Sequence, residues 1–332
     1  MFDYKGYSEK KLQQLCCDKY IRREFAKNQY GVSGQYSMGK IYREYGDFPW
    51  WKKLYIYSEH GVEFDITYPH EVDNDAECMF VFSDAKLNDY KKHSDKPVYK
   101  VQHPFVWYRR HHNITQDKNA VGTIAFPAHA TPDVTCEFNI YEYIKQLKSL
   151  PKKMQPVCVC LFMTDIHNGL HKYFIESGIP VYTAGHVFDE RFVDRYYEIL
   201  RHFKYSISND IGTYAFYSVE MGIPFSIVGA MPTFINVSDP NVSKGIQMQT
   251  IEQAEIAKKL FNGINTSISA KQKDFVINKL GGYNEYLSNK QMHELLVSVY
   301  KQRGCTIKDF FQSIFRKLKY FIKKAVQCIK LD

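Results

Sequence analysis

From about residue 120 the sequence alternates apolar runs with amphipathic stretches at a spacing that few architectures accept. Strand-like "GTIAFPAHAT" is followed by a helical stretch over 138–149, the strand "PVCVCLFMT", a helix over 167–177, the strand "IPVYTAG" and a helix over 189–202; the strand "KYSIS", a helix over 212–221 and the strand "IPFSIVG" complete the series. Strand and helix in turn at this spacing imply a parallel sheet with helices on both faces. The first part of the chain repeats the theme more loosely. The runs "KKLYIYSEHGV", "ECMFVFSDAK" and "KPVYKVQHPFVWY" each end in polar or turn residues and read as parallel strands with loops at their C-terminal ends. Ahead of them, "SEKKLQQLCCDKYIRREFAKN", residues 8–28, reads as an amphipathic helix with Ser8 as its cap.

A chain of 332 residues is long enough for two cores, since single cores rarely grow past about 250 residues. The polar, aperiodic stretch "HNITQDKNA", 112–120, is the expected boundary. The sequence therefore predicts an α/β fold with two Rossmann-like domains facing a central cleft, over 1–115 and 116–305, followed by a basic amphipathic helix over 306–332. A ligand is expected beside the C-terminal strand ends.

Composition narrows the classes. Eight cysteines include no C-x-x-C pair, and Cys158 and Cys160 sit on an apparent buried strand, so zinc and disulfide frameworks are not expected and a reducing, cytoplasmic setting is. The start lacks a signal-peptide run, and no stretch approaches the roughly 20 apolar residues of a membrane span. No P-loop, G-x-G-x-x-G or H-E-x-x-H motif occurs. The acidic "DND" at 73–75 superficially matches a metal-chelating D-x-D but reads better as a solvated turn, so no metal or other cofactor is expected. The formal charge of +8 finds no basic-aromatic motif for nucleic acid. Aromatic residues make up 16%, a level that suits stacking on sugars or bases and also arises from composition bias alone.

The strongest local signal is "KYSISNDIGTYAFYSVEMGIPFSIVG", 204–229. Ser208, Asn209, Asp210, Gly212 and Thr213 lie between a strand and a helix, where free backbone N–H groups and the helix dipole suit a phosphate; the same residues also make an ordinary helix cap. Glu220 stands near the helix C-terminus, where a carboxylate is electrostatically misplaced. In nucleotide-sugar enzymes a glutamate here often accepts hydrogen bonds from a ribose. In "FPAHATPDVT", two prolines fix a loop that presents His129 and Thr131 to a phosphate or leaving group. "YSEHGVEFD" offers His60 as a base, with Glu59 and Asp65 as rivals. His103 in "VQHPFVWYRR" is a further cleft candidate, and Gly185 and His186 in "TAGHVFD" mark the expected place of a nucleobase.

The C-terminal "KDFFQSIFRKLKYFIKKAVQCIKLD" sets Phe311, Ile314, Leu318, Phe321, Ala325 and Ile329 at three- or four-residue steps. Arg316, Lys317, Lys319, Lys323, Lys324 and Lys330 fill most of the rest. That pattern lies in an anionic membrane interface, or packs on its own domain.

Through "GTIAFPAHAT" and "SISNDIGTYAFYSVEMGIPFSIVG", with the shorter "EHG" and "HP", the chain resembles bacterial GT-B-type transferases of cell-surface polysaccharide synthesis. The likeness extends to the capsule Kdo-transferase and polysialyltransferase groups and to CDP-glycerol glycerophosphotransferases. It implies a metal-independent glycosyltransferase acting from a nucleotide-activated sugar on a capsule, O-antigen or lipooligosaccharide acceptor at the inner face of the cytoplasmic membrane. His129, Thr131, Ser208, Asn209, Gly212 and Thr213 would hold the donor, and His60 would be the base. The alternatives are a CDP-polyol phosphotransferase and a nucleotide-binding scaffold without catalysis.

Overall fold

A computed structural model of the chain describes residues 2–24, 34–62, 64–238, 252–283, 286–303 and 307–329, the last segment with side chains only over 310–322. It is an α/β structure built on parallel sheets. In chain order, α1 (Glu9–Cys16) and α2 (Met38–Tyr45) precede β1 (Ile56–Ser58), α3 (Pro69–Val72), β2 (Cys78–Val81), α4 (Asp84–His93), β3 (Val98–Lys100) and α5 (Pro104–His111). The alternating region then gives β4 (Thr123–Ala125), β5 (Val134–Glu137), α6 (Ile140–Lys148), β6 (Val157–Cys160), α7 (Met163–His167), α8 (Leu170–Glu176), β7 (Val181–Tyr182), α9 (Phe192–Leu200), β8 (Tyr205–Ser208), α10 (Thr213–Glu220), β9 (Phe225–Ile227) and β10 (Thr233–Asn236). Helices α11 (Glu252–Phe261), α12 (Ala270–Lys279), α13 (Asn289–Gln302) and α14 (Ile307–Ile329) complete the described chain.

Strands β1, β2 and β3 form a three-stranded parallel sheet in that order, and the second sheet has the order β7-β6-β4-β8-β9, every pairing parallel. Chain order thus runs outward from β4 on one side and restarts at β8 on the other. The point between β4 and β8, where the winding reverses, is where open parallel sheets leave a crevice. The strands of the second sheet and β1 and β2 of the first are buried, as the apolar strands demand, while β3 is only partly buried. One apolar cluster runs from Phe80 and Val81 through Phe105 to Tyr197 and Phe216; the other, with Leu12, Tyr143, Val159 and Phe174, covers the opposite face of the second sheet.

Several sequence expectations are corrected. The helix expected over 8–28 ends at Cys16 and is followed by a 3₁₀ turn at Asp18–Tyr20, while residues 25–28 lie outside the described chain. Its last carbonyls are taken by tertiary partners: Leu15 O accepts from His186 N at 2.9 Å and Cys16 O from His167 Nε2 at 3.1 Å. Ser8 does cap it, accepting from Lys11 N at 3.3 Å. The run "KPVYKVQHPFVWY" is one strand and one helix, because Pro104 is fitted to a first helical turn and His103 caps it. The helix expected over 167–177 is split at Gly169, whose φ of +80° no helix tolerates. Residues 134–137, the first two of which belong to the expected loop "FPAHATPDVT", form a strand that pairs antiparallel with β10.

Candidate functional site

A cavity of about 320 Å³ opens at the C-terminal ends of the second sheet. Phe126, Pro127 and His129 reach it from the end of β4, Leu161 and Phe162 from β6, Ala184 and Gly185 from β7, and Gly212 and Thr213 from the β8–α10 turn. His60, just past β1, closes it from the first sheet. A second, wider cavity of about 750 Å³ shares Tyr36, His60, Thr131 and Phe162 with it and adds Asp18, Arg23, Asp133 and His186.

The turn before α10 divides its labour. Gly212 and Thr213 line the cavity; Ser208, Asn209 and Asp210 are buried behind it. Asn209 ties two loops together, its Oδ1 accepting from Ala128 N at 2.8 Å and its Nδ2 donating to Ala230 O at 2.9 Å. Ser208 Oγ accepts from Asp210 N at 3.1 Å, and Tyr214 Oη donates to Asp210 O at 3.1 Å. The remaining proton, on Ser208 Oγ, therefore serves the 2.8 Å bond to Tyr214 Oη. Asp210 Oδ1 accepts from Ile211 N and is paired with Lys258 at 2.9 Å.

The imidazoles at the cavity are held neutral by burial. His129 stacks on Phe162 with ring centroids 4.2 Å apart, and its Nδ1 donates to Ala130 O at 3.2 Å, leaving Nε2 as an acceptor. Burial first, then the neighbouring His60, lowers its pKa. Burial also pushes His60 down to about 4, with His70 adding to the effect. An anion entering beside His129 reverses that balance and favours the protonated, donating form. Thr131 Oγ1 accepts from Val134 N at 3.1 Å and stands at the rim shared by the two cavities.

The other predicted site residues lie elsewhere. Glu59 is buried and accepts from Phe82 N at 2.6 Å. Asp65 pairs with Lys279 and accepts from Ser83 Oγ at 2.5 Å. Neither lines either of these two cavities. Glu220 is gripped by Arg109 through two bonds of 2.7 Å and by Arg110 at 3.0 Å, which explains a carboxylate at a helix C-terminus. His103 is buried one layer behind: its Nδ1 accepts from Phe105 N at 3.2 Å, so Nε2 carries the proton and donates to Tyr217 Oη at 3.1 Å. Gly185 has φ +89°, and a Cβ there would come within 2.8 Å of Leu15 O. His186 Nδ1 accepts from Phe188 N at 3.1 Å and its Nε2 faces Asp18 at 3.4 Å, in the wider cavity. Among the described residues no cluster of metal-ligating side chains occurs.

Sequence reasoning missed the aromatic wall: Tyr36, Phe105, Phe126, Phe162, Phe192, Tyr196, Tyr214 and Tyr217 all line the smaller cavity. The helical steps Phe192–Tyr196 and Tyr214–Tyr217 carried a signal for it. Tyr36 did not, because it sits in a loop at φ +54° beside Ser37 at φ +63°.

No family model matches the sequence, and no curated protein does. A solved structure, the Glycosylation Associate Protein (Gap123) complex from Streptococcus agalactiae, is similar at 15% identity and a TM-score of 0.30, covering 77% of this chain and 44% of its own. The chain thus spans less than half the length of that protein, and a superposition this loose assigns no activity.

Proposed function

We propose that the chain is a metal-independent glycosyltransferase with two Rossmann-like halves, divided near residue 115, that moves a sugar from a nucleotide-activated donor to a bacterial surface glycan. The observation that carries the reading is the cavity at the winding reversal between β4 and β8, floored by the start of α10 and closed by His60 of the first sheet. In this reading the donor phosphate meets Gly212, Thr213 and His129, where the helix N-terminus and a protonated imidazole stabilise the departing charge. His60, neutral above about pH 4, takes the acceptor hydroxyl's proton. That Glu59 and Asp65 are engaged outside this cavity supports His60 as the proposed base.

Helix α14 is proposed to attach the protein to an anionic membrane face. Phe310, Phe311, Phe315, Leu318 and Ile322 on it are all more than half exposed, beside Arg316, Lys317 and Lys319. No described helix is long and apolar enough to cross a membrane.

A panel of CMP-, CDP-, UDP- and GDP-linked donors, read by thermal stabilisation and then by product mass on a glycan acceptor with and without EDTA, tests the reading. Sugar transfer that survives EDTA supports it. A product carrying phosphorus indicates polyol-phosphate transfer instead, and binding without turnover indicates a scaffold; either outcome overturns it.

A further inference from the structure

His103 does not line the smaller cavity, but it orients a group that does. Its side chain is fully buried, and burial pushes its pKa down to about 3, so the imidazole is neutral and carries a single N–H. Phe105 N donates to Nδ1 at 3.2 Å, which leaves that proton on Nε2, and Nε2 donates to Tyr217 Oη at 3.1 Å. A phenol oxygen both accepts and donates, with its O–H close to the plane of the ring. Because the imidazole N–H occupies one side of the Tyr217 oxygen, the tyrosine's own proton is turned to the other. Among the described residues no acceptor takes that proton. Tyr217 itself is buried and lines the smaller cavity.

The walls around Tyr217 define what can accept the proton. Phe105 lies flat on the Tyr217 ring, with centroids 4.6 Å apart and an interplanar angle of 12°; Phe126 and Tyr214 form a second such pair at 5.2 Å and 10°. The Tyr214 hydroxyl is already committed to Ser208 and to Asp210 O. Flat apolar walls with one directed donor suit a planar ring that bears an acceptor oxygen, whereas a sugar would bring several hydroxyls that need polar partners. We propose that Tyr217 donates a hydrogen bond to a ring carbonyl of a nucleobase bound in the smaller cavity, and that His103 is the positioning residue that aims it. Thr213 and Tyr217 both line the cavity from α10, four residues apart. They therefore share a face of the helix, about 6 Å apart along its axis. The base stands one turn from the start of α10, with a ribose to bridge it to a phosphate there. That a phosphate lies there rests on the proposed function; the direction of the Tyr217 proton does not. The base is thereby placed at α10 rather than at His186, which lines only the wider cavity.

Calorimetric titration of the full chain with CMP, UMP and GMP, whose bases all carry a ring carbonyl, tests the pair. Tyr217→Phe keeps the ring that packs on Phe105 and removes only the hydroxyl, so it should weaken the best-bound nucleotide about two- to tenfold. Inorganic pyrophosphate, which has no ring, should bind the wild type and this variant alike, a separation that a general loosening of the cavity would not give. His103→Asn keeps a capping side chain for α5 and withdraws the imidazole N–H. It should show the same loss for the nucleotide, and the double variant should lose no more than either single one. If His103→Asn does not fold, the Tyr217→Phe comparison decides alone. Unchanged nucleotide affinity in Tyr217→Phe, an equal loss for pyrophosphate, or a wild-type chain that binds none of the three nucleotides overturns the proposal. Sugar transfer by a Tyr217→Phe chain of full nucleotide affinity would sink this proposal and leave the glycosyltransferase reading standing; hydroxyl-dependent binding without transfer would do the reverse.

Discussion

Val62 N donates to Thr213 Oγ1 at 3.2 Å, joining the loop after β1 to the first residue of α10 across 151 residues of chain. The contact is close as well as polar: a Cβ on Gly61 would stand 2.6 Å from the same oxygen. One hydroxyl therefore sets the distance between the His60 loop and the start of α10.

A double-mutant cycle tests that spacing. Gly61→Ala should destabilise the chain by about 1–3 kcal/mol through overpacking. In a Thr213→Ala background the same change should cost clearly less, because the obstructing oxygen is gone. Urea unfolding of the four proteins measures the coupling; additive costs would mean that the loop and helix do not touch in solution. On the proposed function, Thr213→Ala alone should also weaken donor binding or turnover about tenfold to a hundredfold, by loss of roughly 1.5–3 kcal/mol from a hydrogen bond to a charged group.

Glu220 makes a different prediction because its partners are now known. Removing its charge strands Arg109, whose side chain is 14% exposed. Glu220→Gln should therefore cost about 3 kcal/mol. Donor affinity should stay unchanged, since the carboxylate lies outside the cavity. A variant of normal melting temperature that has lost nucleotide binding would return Glu220 to a ligand-binding role.

Stability against pH should show two opposed slopes. His60 and His103 are pushed down to about 4 and about 3, both chiefly by burial. Between those values and the unfolded histidine range near 6.5 the unfolded chain binds more protons, so their contribution is present above about 6.5 and is lost as pH falls. Asp165 is raised, so across about pH 4 to 7 the folded chain binds the extra proton and stability falls as pH rises. The two effects partly cancel in the wild type. Asp165→Asn should therefore lose stability more steeply on acidification than the wild type, and His103→Gln less steeply, each read as the slope of unfolding free energy against pH. Parallel slopes for all three would refute the assigned shifts.

The alternating fold from β4 to β9 was legible because it is written locally, in strand-length apolar runs and helix-length periodicity. What the sequence hid is what depends on distance. Glu220 was recognisable as a misplaced charge, yet its two arginines stand 111 and 110 residues away on α5. Ser208 and Asn209 had the residue types of a ligand loop, and those same small polar groups suit the internal ties they make to Tyr214, Ala128 and Ala230. Tyr36 reaches the cavity through two consecutive left-handed residues, a conformation that no pattern of apolar residues announces. Helix α1 could be seen, but its place beside α7 could not, because it is set by contacts such as His167 Nε2 to Cys16 O at 3.1 Å.

The tail makes the prediction most open to a simple experiment. Phe311 is 64% exposed and Leu318 56%, so these members of the apolar stripe are not covered by the rest of the chain. One flank of α14 touches the body at Trp51, whose ring lies 6.1 Å from Phe321 of the stripe and beneath Lys317 Nζ at 5.3 Å. Ala325, Ile329 and the basic residues at 323, 324 and 330 lie outside the described side chains. Deleting 308–332 should therefore release the protein from anionic vesicles while sparing its melting temperature and its activity on soluble substrate. Each Lys or Arg near an anionic surface contributes about 1 kcal/mol, so attachment of the intact chain should weaken steeply as salt rises. Flotation at low and high salt measures both effects. A helix whose apolar face instead folds onto its own body would behave in the opposite way: truncation would lower the melting temperature, and the intact chain would stay at the bottom of the gradient even at low salt.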